Sequence, residues 1–498
     1  MRKVIQRQLR LGETSIAQVE LDPKSRDDIP QVLRGLLHIY NDSALRERVF
    51  EILREIRPHR VSGEGKASPR TGRPGMEQWK ILVLGTLRLA LNIDYDRLQE
   101  LANQHGTIRQ VLGHGLPQDP AYYNLQTIKD NVQLFTPELL DRINQEVVRA
   151  GHDLLKHNPE DGLRVRCDSF VVETDVHYPT DANLLLDAIR KLIEVCASAC
   201  EKTGITEWRQ SAYHIRKFKK SYRRVQRLRH SSAKDEAKRQ ARTEEIHQAY
   251  GDYLDLAQSY VDRARTTREA LLYVGSSTVL PLAALDSYMA HAERQIDQIR
   301  RRVLEGERIS HSEKVFSIFQ PHTEWISKGK AGVPVEPGLR VCVVEDQHRF
   351  IVHHQVMEKV TDERVAVSIV KETKERFPCV KAVSMDKGFY SPANLVALRA
   401  LVPLVVLPKK GRLSEQDRQR ETSLEFIALR HEHSAVESAI NALEGHGLDQ
   451  CPDLGITGFK RYVALAVLAR NIQRLGALLR EKDRLKEKRR RKSGKKAA

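Results

Sequence analysis

The sequence predicts a mixed α/β protein whose sheet-bearing core is interrupted by a long helical insertion and preceded by an all-helical amino-terminal domain. Three observations predict it. The stretch Val380–Pro392 (VKAVSMDKGFYSP) reads as a buried strand, Val380 to Met385, that ends on Asp386, turns at Lys387-Gly388 and enters a helix opened by Ser391-Pro392. β-branched, alternating runs occur at Gly162–Val172 and Leu339–Val356. Between them, from Ala182 to about Ser312, the apolar spacing is helical throughout.

The elements follow in order. Residues 1–70 are polar and helical by pattern, with Leu, Ile and Val at helical spacing in Pro30–Leu37 and Ala44–Ile56, and Arg57–Arg73 reads as a Gly, Pro, Ser and basic linker. A helical domain over 71–160 contains Met76–Leu91, Tyr95–His105, Ile108–Leu112, Tyr123–Val132 and Pro137–Gly151. Such a succession either places a helix in a DNA groove or joins protomers, or it is a plain bundle. The core takes 161–181 and 313–450, and the insertion takes 182–312, with helices expected at Asn183–Lys202, Trp208–His230, Ala233–Arg268 and Ser287–Leu304. After a β pattern at Phe316–Glu324 and a Gly-rich turn region (SKGKAGVPVEPG), Leu339–Glu345 and Phe350–Val356 form a hairpin and Asp362–Phe377 a helix. Ala393–Leu401 is helical, Val402–Leu407 a strand, Pro408–Glu421 a basic loop and His431–Leu448 a helix stopped by Gly445 and Gly447. A final apolar helix over 451–479 packs on the core, and the basic tail 480–498 reads as disordered.

Of 498 residues, 40% are hydrophobic and 6% aromatic, and no apolar run reaches the roughly 18 residues of a membrane helix. The first residues, MRKVIQRQLRLGE, lack the apolar run of a secretion signal. The six cysteines form no CxxC pair, although Cys196 and Cys200 share a helix face. Reduced thiols in a cytoplasmic, nucleoid-associated protein without membrane attachment are the expectation. The net charge of +17 is concentrated. Trp208–Arg229 carries nine Lys or Arg and no acid, Arg480–Lys496 carries eleven against three acids, and together they account for the whole excess. Basic segments on a neutral body point to a polyanion, most simply nucleic acid. The first run interleaves Trp208, Tyr213, Phe218 and Tyr222 with cations that lack acid partners, so it is either a phosphate-binding face or a solvated one.

Candidate chemistry lies in scattered acids. Asp168 sits mid-strand, where a charge is costly unless paired or bound to metal, and Glu173, Asp175 and Asp181 follow it closely. Asp386 ends the opening strand. On His431–Leu448 a core stripe of Val436, Ile440 and Leu443 adjoins one of His433, Glu437, Asn441 and Glu444, which offers Glu437 toward the strand ends. With the insertion removed, the order is strand with Asp168, hairpin, helix, strand ending at Asp386, helix, strand, helix with Glu437. That is the order of the ribonuclease-H-like nuclease fold, whose acids converge at one edge of a mixed sheet.

These residues resemble a DDE transposase of bacterial insertion sequences, of the ISNCY-type group. The resemblance rests on Gly72-Arg73-Pro74-Gly75 with Trp79, CDSFVVETDVHYPTD from Cys167, FSIFQPHTEWISKGK from Phe316, MDKGFYS from Met385, AVESAIN from Ala435 and RYVALAVLARNIQRLG from Arg461. It covers roughly residues 28 to 480. It implies Asp168, Asp386 and Glu437 as the three catalytic and metal-holding acids, with Asp175 the rival for the first place. It implies two Mg²⁺ (or Mn²⁺) ions per site, cleavage at terminal inverted repeats and transfer of the 3′-hydroxyl into target DNA. A homo-oligomer, at least a dimer on double-stranded DNA, is expected because two ends must be joined. DNA contacts are expected from Arg209, Arg216, Lys217, Lys219, Lys220, Arg223 and Arg224. Lys387 either meets a phosphate or is a solvated turn lysine, and His433 either meets a phosphate or packs. One departure stands: where some related families place Tyr, Arg and Lys around the last acid, this chain has Arg430, His433 and Glu444.

Overall fold

The computed structural model describes residues 3–5, 13–56, 75–116, 119–228, 235–273, 279–327 and 335–494. The linker expected at Arg57–Arg73, most of the Gly72–Gly75 motif, the centre of the Gly-rich turn at 328–334, Arg229 and the last four residues lie outside the described residues. The chain is α/β, divided into two units: Met1–Asp175 with Lys330–Ala498, and Val176–Gly329.

The described residues form seven strands: β1 Leu163–Thr174, β2 Glu324–Ser327, β3 Val335–Asp346, β4 Ile351–Met357, β5 Val380–Met385, β6 Leu404–Val406 and β7 Gln450–Cys451. All but β2 belong to the first unit. There the sheet runs β4-β3-β1-β5-β6, with β7 beside the end of β1. The β4/β3 and β3/β1 pairs are antiparallel, whereas β1/β5, β5/β6 and β1/β7 are parallel. β1 is central because its residues serve both faces. Leu163, Val165 and Cys167 enter the core shared with helices Asp362–Arg376 and Pro392–Leu401, while Phe170 and Val172 enter the core on the opposite face.

That opposite core is shared with the amino-terminal helices. Ile29–Asn41, Ser43–Arg54, Gln78–Ala90 and Pro137–Leu155 bury one apolar set with Phe170, Val172, Leu339, Val341 and Val343 of the sheet. The helical region that sequence pattern sets apart thus shares a core with the sheet. The carboxy-terminal helix Gly455–Gly494 joins them, with Val463, Val467, Ile472 and Leu475 fully buried. Asn471 clamps the join: its Oδ1 accepts from the Ile351 N–H at 3.0 Å and its Nδ2 donates to the Ile351 carbonyl at 2.9 Å.

Three expectations are corrected. The basic tail does not begin at 480 as disorder, because the helix runs on to Gly494. Lys, Arg and Glu are strong helix formers, and a helix anchored by its apolar half needs no new nucleus. Arg34 pairs with Asp483 at 2.7 Å along this extension. The basic loop Pro408–Glu421 contains a helix, Glu415–Glu421, started by a capping box between Ser414 and Asp417. The single helix expected over His431–Leu448 is two, Leu424–His433 and Ala435–Leu443, followed by a π turn at Glu444–Leu448.

The second unit is helical, built from Asp181–Thr203, Ser211–Arg227, Glu236–Leu272 and Val279–Ile299 around one apolar core. The insertion expected over 182–312 falls within it. Of the aromatics interleaved with the basic run, Trp208 and Phe218 are core residues. Trp208 donates from Nε1 to Thr267 Oγ1 at 2.8 Å, and Phe218 stacks on Tyr253 with ring centroids 4.8 Å apart.

Candidate active site

Parallel pairing brings the first two acids together. Cys167 faces Met385 across β1 and β5, and Arg166 faces Ser384. Facing residues in a ladder share a side of the sheet, so Asp168 and Asp386 are the next pair on the face of Arg166 and Ser384, about one strand spacing of 4.8 Å apart at the backbone. Asp386 stays extended (φ −74°, ψ 165°) and opens the one-turn 3₁₀ helix Lys387–Phe389. Ser391 then caps helix Pro392–Leu401, accepting from the Asn394 N–H at 3.2 Å with Pro392 in its first turn.

Glu437 arrives on the first turn of Ala435–Leu443, a helix held to the sheet face by Ala439 and Leu443 in the core with Phe170 and Val172. Its carboxylate, like those of Asp386 and Asp362, acts on Asp168. Burial is the main cause that pushes the Asp168 carboxyl up to about 6, and the three neighbouring carboxylates push the same way. The Ser169 N–H, which donates to Asp168 Oδ1 at 2.7 Å, opposes them. Asp386, Lys387 and Glu437 are exposed, while Asp168 is half-buried.

Asp362 is a fourth carboxylate that no sequence motif marks. It stands in the first turn of Asp362–Arg376, and its Oδ1 accepts from Ser169 Oγ at 2.6 Å. It also comes close to Gly388, where an added Cβ would lie 3.2 Å from Asp362 Oδ2. It is therefore fixed between the strand of Asp168 and the turn after Asp386. An acid in a first helical turn reads in sequence as a partner of the helix dipole, so only the tertiary contact marks it.

The rivals of Asp168 lie elsewhere. Asp175 is seven residues further along β1, roughly 23 Å at the rise of a strand, where its backbone N–H reaches Cys451 at 3.3 Å. Glu173 is beside β7 at that same end. Asp181 belongs to the second unit and pairs with Arg302 at 2.9 Å. Asp168 is the one of the four beside Asp386.

Basic groups frame the acids. Arg166 forms an ion pair with Glu345 at 2.9 Å and donates to the carbonyls of Glu432 and Asp346, tying the end of Leu424–His433 to the sheet. Burial pushes the Glu345 carboxyl up to about 7, against the pull of Arg166. His433 closes that helix with Nδ1 3.1 Å from Ser384 Oγ. Burial holds its imidazole below the ordinary value, and Arg166 and Arg430 add to this against Asp386 and Glu437. His433 thus stands as a polar packing residue of this helix end, bonded to Ser384.

Comparisons with family models, with curated proteins and with solved structures each returned no match. The chemistry open to the arrangement follows from its groups. The donor set is oxygen only, the hard-ligand chemistry that suits Mg²⁺ and Mn²⁺ and not the His and Cys sets of zinc. Among the described residues no three His, Cys, Asp or Glu side chains are gathered closely enough to form a ready metal cage. The carboxylates do repel one another at Asp168, and a divalent cation would reverse that repulsion, so the residues fit such an ion by charge and donor type.

The seven candidate DNA contacts are all exposed and lie on or beside Ser211–Arg227 of the second unit. No helix of the described residues is long and apolar enough to cross a membrane.

Proposed function

We propose that this chain is a DDE-type transposase that cuts DNA at the ends of its element and joins the freed 3′-hydroxyl to target DNA. The observation that carries the reading is the placement of Asp168, in the middle of β1, beside Asp386 at the end of the parallel strand β5, with Glu437 acting on Asp168 from the helix above. The strand order β4-β3-β1-β5-β6, with β3 antiparallel to its neighbours and the rest parallel, supports a ribonuclease-H-like core. In that reading β1 and β5 carry the first two acids.

Asp168, Asp386 and Glu437 would hold Mg²⁺ or Mn²⁺, which supply Lewis acidity at the phosphate and a lowered pKa for the attacking water or 3′-hydroxyl. The chain's own groups do the rest. Asp168, with its carboxyl near 6, is ionised above neutrality and takes a proton as the pH falls. In this reading Lys387, exposed beside Asp386, meets the phosphate of a bound strand; as a solvated turn lysine it would have no such contact. Arg166 positions Leu424–His433 behind the acids and touches no reacting atom in this scheme.

The test is incubation of the full chain with element-end DNA and Mg²⁺ or Mn²⁺. Cleaved and joined products support the transposase. Cutting without joining points to a nuclease of the same architecture, and binding without cutting to a transposase-derived regulator. Asp386→Asn should lose cleavage by at least about a hundredfold while retaining DNA binding, and cleavage by that variant would remove Asp386 from the site.

A further inference from the structure

We infer that helix Ser211–Arg227 is a sequence-independent grip on the phosphates of duplex DNA, distinct from whatever reads element ends. The inference rests on the proposed function for the identity of the polyanion. The helix is divided along its length. Phe218, Tyr222 and Val225 face inward, where Phe218 stacks on Tyr253 and Tyr222 lies 6.3 Å from the same ring. Arg216, Lys220, Arg223 and Arg227 recur at i, i+4, i+7 and i+11 on the outward side, all exposed. That stripe is about 16 Å long at 1.5 Å per residue. Lys217 and Lys219 flank it.

What sets this face apart is its contrast with the rest of the same unit. Elsewhere in it many arginines have acids beside them: Arg263 has Glu207 at 2.8 Å, Arg265 has Glu293 at 2.5 Å, and Arg302 has Asp181 at 2.9 Å. On Ser211–Arg227 there is no acid, and among the described residues only Arg224 reaches one from a neighbouring helix, Asp252 at 2.6 Å. The four cations of the stripe form no ion pair among the described residues. A helix face with four neighbouring cations and no paired acid stores repulsion, and a bound polyanion relieves it.

The chemistry of the face selects among polyanions. Trp208 and Phe218 are committed to the core and cannot stack on bases, so of the four interleaved aromatics exposed Tyr213 alone faces solvent, a smaller platform than the successive rings that single strands use. Side-chain amides are few, Gln226 on the helix and Gln210 at its start, so amide readout of adenine is limited. Cations in a straight row on one helix face match the regular charge of a duplex backbone, about one per 1.7 Å of axis.

The test uses the full chain in EDTA, so that binding is read without chemistry. Affinity is measured over a salt series for two duplexes of unrelated sequence and for single-stranded DNA of equal length. The variant carries Arg216→Gln, Lys220→Gln, Arg223→Gln and Arg227→Gln, and an Arg216→Lys, Arg223→Lys, Arg227→Lys control keeps the charge. The quadruple variant should lower the slope of log affinity against log salt by about 3–4, equally on both duplexes, with the control unchanged. An unchanged slope overturns the inference, as does a loss confined to one sequence or a wild-type preference for the single strand. Duplex binding with this slope change but no cleavage in Mg²⁺ would leave the inference standing and sink the transposase.

Discussion

Ser169 and Asp362 meet across 193 positions of sequence in a 2.6 Å hydrogen bond, from Ser169 Oγ to Asp362 Oδ1, one residue beyond Asp168. The contact locks a fourth carboxylate beside the pair Asp168 and Asp386, and that carboxylate acts on Asp168. Asp362→Asn should therefore lower the Asp168 pKa and weaken Mn²⁺ binding, with cleavage reduced about tenfold, a smaller loss than for Asp386→Asn. Ser169→Ala should cost about 1 kcal/mol of stability, the net value of such a bond, and should leave cleavage nearer wild type. Titration of Mn²⁺ against both variants checks this. Unaltered Mn²⁺ affinity in Asp362→Asn would assign Asp362 to structure alone.

The amino-terminal helix reaches the core through a crossing that only glycine permits. A Cβ at Gly35 would lie 2.2 Å from the Ile472 carbonyl oxygen, and one at Gly476 would lie 1.9 Å from the Gln31 carbonyl oxygen. Both neighbours are helix backbone, which cannot step aside as a flexible side chain can. Gly476→Ala should destabilise the first unit by about 1–3 kcal/mol or more, and Gly35→Ala similarly, as read by urea denaturation. The two changes should combine to less than their sum, because both separate the same pair of helices. Wild-type stability in either single variant would refute the close crossing.

Arg166 and Glu345 form a pair whose side chains retain only 11% and 3% exposure, so removing one partner strands the other in the core. Arg166→Met should cost about 3–5 kcal/mol near pH 8, where Glu345 would have to stay charged without its partner. At pH 5 the cost should shrink. The Glu345 carboxyl already stands near 7 with Arg166 present, and without it the group takes up a proton and avoids the penalty. Denaturation midpoints at the two pH values, with Arg166→Met, Glu345→Gln as the compensated variant, check the assignment. An equal loss at both pH values would point to the carbonyl contacts of Arg166 as its main contribution.

Much of this was legible in the sequence, and the rest hid for definite reasons. The strand Val380–Met385 reads directly, since a β-branched run bounded by an acid and a glycine turn has one local solution. Asp168 and Asp386 could be paired only through element order, because parallel strands that meet in space are joined by long crossovers. The break between Leu424–His433 and Ala435–Leu443 left no trace in periodicity: Ser434 keeps helical angles (φ −56°, ψ −22°) while the assigned helix is interrupted there. Trp208 and Phe218, set among cations, are claimed for the core by tertiary contacts with Thr267 and Tyr253 that no local pattern shows. Asp362 was invisible because its meaning lies in Ser169 and Gly388, not in its own neighbours along the chain.

The raised Asp168 carboxyl makes a prediction whose sign follows from linkage. Its ordinary value is 3.8, and in the fold it stands near 6, chiefly through burial and then through Asp386, Asp362 and Glu437. The folded state therefore holds a proton that the unfolded chain releases between about pH 4 and pH 6, and stability falls as pH rises through that window. Above pH 6 the whole penalty is present, at most about 3 kcal/mol, since each tenfold change in proton affinity is worth about 1.4 kcal/mol. Asp168→Asn removes the penalty and should raise the melting temperature at pH 7–8 while changing it little at pH 4, even as cleavage is lost. Adding Mg²⁺ should narrow the gap at pH 7–8 by stabilising only the wild type, because the cation offsets the crowding of carboxylates that the substitution dissolves. A variant less stable than wild type at pH 8 would show that Asp168 supports the fold and does not strain it.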